Sequence, residues 1–290
     1  MKLGASMPGR DARLAWTLLA PALILLGVIA VGPLLATVWE SLHHDDLRMP
    51  WLGRPFIGLG NYAAALTDQR LREAVVNTML FAGVSVSVEI VFGMALALAL
   101  DALTRWRGIA RVVVLLPWAL PTVVAALVWR FMFESGGIAG IVSGDWLSRP
   151  FAAWVPIILG DVWKSTPFVA LLLLAGLQGI DATLYEAARM DGASRWRRFT
   201  QITLPQLRPA ITVALVFRTM DAFRVFDLVY VLTGGGPGTA TEVISLYAFT
   251  TLLQDLRFGY GSALSIVTFV LTFTLALMYV RLLRTPGEEA

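Results

Sequence analysis

Charged side chains at Glu89, Lys164, Arg218, Asp221, Arg224 and Asp227 lie in stretches that are otherwise almost wholly apolar. Ionisable groups in such surroundings are costly unless they face one another or a watery cavity, so they mark a functional path by default. Three positive and three negative charges cancel, which favours paired groups around a neutral passage over an ion filter. In the segment carrying the last four, each charge stands three residues from one of opposite sign, close enough to pair along a helix. Trp118, Trp163 and Phe223 lie at comparable depth and could set flat apolar faces against a passing solute, although packing between helices uses such side chains equally well. Asp221 and Arg224 suit an ion pair that holds segments together as well as they suit contact with a polyhydroxylated substrate.

Covalent chemistry has little to work with. The chain has no cysteine, hence no thiolate, disulfide or Cys-ligated metal. A P-loop needs a lysine directly after a glycine, and the two lysines, Lys2 and Lys164, follow Met1 and Trp163. His43 and His44 beside Asp45 and Asp46 could form a metal cluster, but in a polar connection they read as a solvated turn. Neither a Gly-x-Ser-x-Gly elbow nor a His-Glu-x-x-His helix occurs. The expectation is a chain that is not an enzyme and carries no cofactor or metal of its own.

The elements that must position these charges follow from composition. Apolar residues make up 57% of the 290, charged ones 15%, and the mean hydropathy is +0.72. Those values exclude disorder and disfavour a water-soluble enzyme. A spanning helix needs roughly 20 predominantly apolar residues. Six stretches qualify, at 14–38, 74–100, 109–133, 152–177, 210–232 and 263–283, and the expected fold is an all-α, six-span membrane domain occupying 1–290. The first stretch is long and lacks a following small-x-small site, so it reads as a retained span and not a cleaved leader. Placing the amino terminus in the cytoplasm puts 13 Lys and Arg on that side against six outside, and the positive-inside rule then sets both termini inside. Seven of the ten tryptophans fall near span ends, as an interfacial belt requires. The outer connections at 50–62, 136–150 and 234–238 are rich in Gly and Pro and read as turns between short amphipathic pieces such as 242–256. There is no period of 20–50 residues and no similarity between halves, which weighs against a carrier built on inverted repeats.

The inner connection at 181–208 carries the sharpest pattern. Glu186-Ala187-Ala188 is followed after three residues by Gly192, and after nine more by Ile202-Thr203-Leu204-Pro205. Thr183-x-x-Glu186 can form a capping box, the two alanines leave a narrow helix surface, and Gly192 can take the positive φ that ends a helix. A membrane-surface helix with Arg195, Arg197 and Arg198 on anionic lipid is the alternative use of the segment. The full spacing resembles the signature of permease subunits of binding-protein-dependent ABC importers. That resemblance implies a type I permease fold in the bacterial inner membrane and a coupling helix that docks into an ATPase subunit through Glu186, Ala187, Ala188, Asp191 and Gly192. The family often has proline where this chain reads Ile180-Asp181-Ala182, a departure that bears on how the helix begins.

Weaker strings extend the likeness along the chain. Residues 57–62 (Ile-Gly-Leu-Gly-Asn-Tyr), 161–168 (Asp-Val-Trp-Lys-Ser-Thr-Pro-Phe) and 221–227 (Asp-Ala-Phe-Arg-Val-Phe-Asp) are similar to the maltose-type sugar permeases, particularly the trehalose and α-glucoside branch. The resemblance implies a sugar substrate, a second permease subunit, two ATPase subunits that hold ATP and Mg, and an extracytoplasmic binding protein, with membrane lipid around the chain and no nucleic acid. The substrate path expected from depth comprises Glu89, Trp118, Trp163, Lys164, Asp221, Phe223, Arg224 and Asp227. The rival from another class is an ion-coupled secondary carrier or channel for a small polar solute, with Glu89 or Asp221 as its proton site.

Overall fold

The computed structural model describes residues 8–103 and 105–283. Among them the chain is helical without a β-sheet, an isolated bridge joining His43 to Phe56. The expected cytoplasmic termini lie outside the described residues. The chain falls into two compact units: one holds the described residues up to Thr67 together with Ala248–Val267, the other Asp68–Tyr247 together with the described residues from Thr268.

In the first unit the first span runs unbroken over Ala12–Ser41. Its 30 residues, at 1.5 Å each, reach about 45 Å, beyond a hydrocarbon core of about 30 Å. None of its apolar window is buried, so its side chains are free to meet lipid or another chain. The connection that follows corrects the expectation of a solvated turn at 43–46. Asp46 is buried and accepts a bidentate pair from Arg48, at 2.9 Å from Nε and 2.7 Å from Nη2. Arg48 holds its carboxyl down to about 2, against the burial that would raise it. The Asn61 amide donates to the carbonyls of Ser41 and His43, so the polar residues here are folded against one another and not left to water.

In the second unit the second span, Gln69–Ala102, begins where the Asp68 carboxylate accepts from the backbone N–H groups of Arg70 and Leu71. It packs along the fourth span, Trp154–Gln178. The approach is close: a Cβ on Gly93 would lie 2.5 Å from Val169 Cγ1, so only glycine permits it. Met94, Ala97 and Leu100 meet Val169, Leu173 and Leu177 there, in a core that also buries Leu207 and Ala214. Arg70 donates twice to Glu242, at 2.7 and 2.8 Å, and the Asn77 amide donates to the carbonyl of Glu242, which fastens the last outer connection to this span.

All six apolar stretches are helical, but two are broken. The third is a pair, Arg107–Ala119 and Thr122–Phe133, bent by 83°. Pro121 lacks an N–H and its ring clashes with the preceding turn, which is the physical cause. The fifth, expected as one helix over 210–232, is Arg208–Ala222 followed by Asp227–Leu232. Neither Gly nor Pro stands at 223–226. The Ser245 hydroxyl donates to the Val225 carbonyl that the break releases, so a tertiary contact stabilises the unwinding. Four described helices are long and apolar enough to cross a membrane unbroken, five with the bent pair.

Candidate functional site

The charged centre is assembled around Arg218, whose side chain is only 4% exposed. Its Nε and Nη2 donate to the two oxygens of Glu89 at 2.6 and 2.8 Å, Nη2 also to Asp161 at 3.1 Å, and Nη1 to Asp221. One guanidinium thus ties the second, fourth and fifth spans together at one depth. A guanidinium has five donors in a planar fork and stays charged, so it satisfies several buried acceptors where an ammonium would leave some unpaired. Glu89 has no exposure at all and sits behind this network, lining neither of the cavities described below. It lies outside both cavities in this structure, because a wholly buried carboxylate must spend its oxygens on a partner.

Asp221 pairs with Arg218 across three residues of intact helix, while the anticipated pairing with Arg224 does not form. Unwinding at 223–226 removes the helical face on which residues three apart meet. Arg224 consequently makes no ion pair among the described residues and borders two adjoining cavities. The larger, about 500 Å³, is lined by Trp118, Phe168, Phe217, Asp221 and Arg224; the smaller, about 140 Å³, by Asp161, Lys164, Asp221, Arg224 and Asp227. Trp118 stacks on Phe168 with centroids 5.9 Å apart, and Phe168 meets Phe217 edge-on at 6.3 Å, giving the larger cavity an aromatic wall.

Lys164 Nζ donates to the carbonyls of Leu120 at 2.7 Å and Trp118 at 3.2 Å. These carbonyls lost their helical partners at the bend in the third span, and a cation there also meets the negative end of that helix. Trp163 lines neither cavity and packs on Trp129 at 6.2 Å. Phe223 turns to a separate crevice beside Val75, Thr78 and Ile244, too small for a ligand. Of the expected path residues, Trp118, Lys164, Asp221, Arg224 and Asp227 are brought together, and Glu89, Trp163 and Phe223 are not. Asp161, Phe168 and Phe217 enter the site unanticipated. Asp161 carried a signal, being a carboxylate three residues from Lys164 inside an apolar stretch, whereas the two phenylalanines read like any core aromatic.

The inner connection forms a helix over Ala182–Met190. Its cap is Asp181, whose carboxylate accepts from the Thr183 N–H at 2.9 Å, and not the Thr183 to Glu186 box read from the spacing. Asp181 thereby starts the helix within the Ile180-Asp181-Ala182 stretch, and the N–H holds its carboxyl below the ordinary carboxylate value. Gly192 takes φ +72°, and the Ala193 N–H reaches back to the Ala188 carbonyl at 2.9 Å, closing the helix as anticipated. Glu186, Ala187, Asp191 and Gly192 are exposed and Ala188 is half-buried. Glu186 makes no ion pair among the described residues. Tyr185 turns the other way and bonds Thr203 at 2.9 Å, anchoring the helix to the segment that leads into the fifth span.

A family described as the binding-protein-dependent transport system inner membrane component matches residues 89–285, which include both the charged centre and this helix. The chain belongs to that family. The permease is 44% identical over 288 residues, 96% of each chain, to the trehalose/maltose transport system permease protein MalF of Thermococcus litoralis. It is 39% identical to the trehalose transport system permease protein SugA of Mycobacterium tuberculosis, over 99% of this chain and 94% of that one. It is 41% identical to the sulfoquinovosyl glycerol transport system permease protein SmoG of Agrobacterium fabrum, over 95% and 92%. Among solved structures it is similar to a chain of a bacterial alginate ABC transporter in complex with an alginate pentasaccharide-bound periplasmic protein, with TM-score 0.79, 25% identity and 95% of each chain covered. The permease is thus a non-catalytic, multi-pass inner-membrane subunit of an ABC importer with the type I permease fold. The expected fold class, the likeness to the trehalose and maltose branch and the membrane location are all met.

Proposed function

We propose that the permease passes a small neutral glycoside, a disaccharide such as trehalose or maltose, through the cavities around Asp221 and Arg224. The observation that carries this reading is the 44% identity, along 96% of both chains, to a permease named for trehalose and maltose. The site chemistry supports it. Sugar hydroxyls bond well to charged groups, each such bond contributing roughly 1.5–3 kcal/mol, and Trp118 on Phe168 offers a flat apolar wall for the C–H face. An extracytoplasmic binding protein delivers the sugar. A second permease subunit, expected to be a distinct homologous chain, completes the passage. Two ATPase subunits bind ATP and Mg and drive the cycle.

The helix at 182–190 is the coupling element in this reading. Glu186, Ala187, Ala188, Asp191 and Gly192 face an ATPase groove, and closure of the ATPase pair moves the helix. Tyr185 and the continuous backbone through Pro205 carry that movement into the fifth span, where the break at 223–226 lets Arg224 change its environment without bending an intact helix. Alternating access then exposes the cavity to one side at a time.

The test is co-purification from native membranes followed by an ATPase assay with a panel of sugar-loaded binding proteins. Stimulation by a disaccharide-loaded protein, with ATPase subunits retained, is the expected result. Uptake that persists without any ATPase subunit would instead establish the ion-coupled carrier. The panel should include an anionic glycoside, because Arg224 makes no ion pair among the described residues, and sulfoquinovosyl glycerol, for which one relative is named.

A further inference from the structure

A cavity of about 960 Å³ lies away from the charged centre, between the inner third of the second span and the segment after the helix at 182–190. Ile90, Met94 and Leu98 line one wall; Arg195, Trp196 and Arg198 stand at its rim. The wall is apolar, and Trp196 is 72% exposed beside it. The Nε of Arg198 is buried and finds no hydrogen-bond partner among the described residues. Arg195 likewise makes no ion pair there. A buried guanidinium N–H without an acceptor is costly, and an anionic oxygen is the group that best answers it.

Along the second span the lining runs from Ile90 to Leu98, about 12 Å at 1.5 Å per residue, which fits within half a hydrocarbon core of about 15 Å. The cavity thus lies along the half of that helix that ends at Ala102, apolar on this wall and with Arg195 and Arg198 also in its lining. We infer that this groove holds an anionic phospholipid of the cytoplasmic leaflet, with an acyl chain along Ile90, Met94 and Leu98 and the phosphate between Arg195 and Arg198. Basic pockets at the cytoplasmic ends of spanning helices suit such headgroups, and Trp196 occupies the interfacial level where an aromatic ring meets both glycerol and chain. Because the basic rim continues directly from the coupling helix, bound lipid would fix that helix at the membrane surface, making inner-leaflet charge a regulator of the permease.

Native mass spectrometry of the permease, extracted with its associated subunits and exchanged into equal phosphatidylglycerol and phosphatidylcholine, reads the lipid directly. Wild type should retain phosphatidylglycerol preferentially. Arg195→Gln with Arg198→Gln should lower that preference by about thirtyfold if each arginine acts as a surface charge does. Val91→Trp, at an exposed position of the cavity wall, should reduce retention of both lipids, and Arg281→Gln, a basic residue elsewhere near the inner surface, should change nothing. A photoreactive amino acid at Leu98 in the otherwise natural chain keeps the test valid if the double variant fails to accumulate. Capture of phosphatidylglycerol there supports the inference. Equal capture of both lipids, or an adduct with another protein chain only, overturns it.

Discussion

The charged centre and the helix at 182–190 treat their ionisable groups in opposite ways. At mid-membrane Arg218 is shared by Glu89, Asp161 and Asp221, and Lys164 is tied to two backbone carbonyls. On the helix at 182–190 and in the turn after it, Glu186 and Asp191 stand exposed and without ion pairs among the described residues. The contrast follows from solvent. Away from water a charge must find its partner within the chain, so charges at that depth hold the fold whatever else they do. At the surface water satisfies them, so a fixed pattern of exposed charge, alanine and glycine has no structural debt to discharge and points to a partner. Arg224 is the exception at mid-depth: a cation left over by a break in its helix, on the wall of both cavities.

Substitutions can break this comparison or sharpen it. The largest cost to the fold belongs to Arg218→Ala, which leaves Glu89 and Asp161 buried without their cation; a loss of about 3–5 kcal/mol is expected, read as collapse of membrane abundance. Adding Glu89→Gln to that variant should recover part of the abundance, and no recovery would show that the network is not electrostatic. Next comes Lys164→Met, which preserves much of the stem but strands the Trp118 and Leu120 carbonyls, with an expected loss of about 1–3 kcal/mol in thermal unfolding of the purified permease. If unfolding is unchanged, the bend in the third span is not held by this lysine.

Arg224→Ala should leave abundance near normal and weaken apparent transport affinity about tenfold, the loss of one charged hydrogen bond to substrate. Equal affinity with equal abundance would remove Arg224 from the substrate path. Exchanging Asp221 and Arg224 sharpens the same point: because Asp221 pairs with Arg218, the exchange should lose both abundance and uptake, not restore them. At the coupling helix the pattern reverses. Glu186→Ala should change stability by no more than about 0.5 kcal/mol while uptake and ATPase co-purification fall sharply, with sugar loading of the external protein intact. Gly192→Pro should have the same effect on uptake, since proline cannot adopt φ +72°.

The smallest effect is expected at Asp181. Its carboxyl is held below 3.8 in the folded chain, so its contribution is fully present above that value and lost only as pH falls through the lower folded one. Asp181→Asn, which keeps the cap but not the charge, should therefore match wild type in uptake at neutral pH and flatten the acid limb of the helix's stability measured by hydrogen exchange. An uptake loss equal to that of Glu186→Ala would mean that the carboxylate itself contacts the ATPase.

The six helical stretches and the short helix that Gly192 ends were legible in the sequence, because each depends on local quantities: apolar length and the spacing of Ala and Gly. The positive φ at Gly192 belongs with them, since a helix stop is written in the residue that permits it. The bend in the third span has a local mark in Pro121, which stands at the break between Ala119 and Thr122. What no local quantity decided was which charges are free. The unwinding at 223–226 has no Gly or Pro to announce it and is held by Ser245, twenty residues away. With the helix unwound there, Arg224 is separated from Asp221, leaving one as a cation on the cavity wall and the other as part of the Arg218 network. Depth alone put Glu89, Trp163 and Phe223 on the path, but depth fixes only one coordinate; the direction in which each side chain faces depends on how the helices rotate against one another. That rotation is settled by packing such as Gly93 against Val169, and only the tertiary structure contains it.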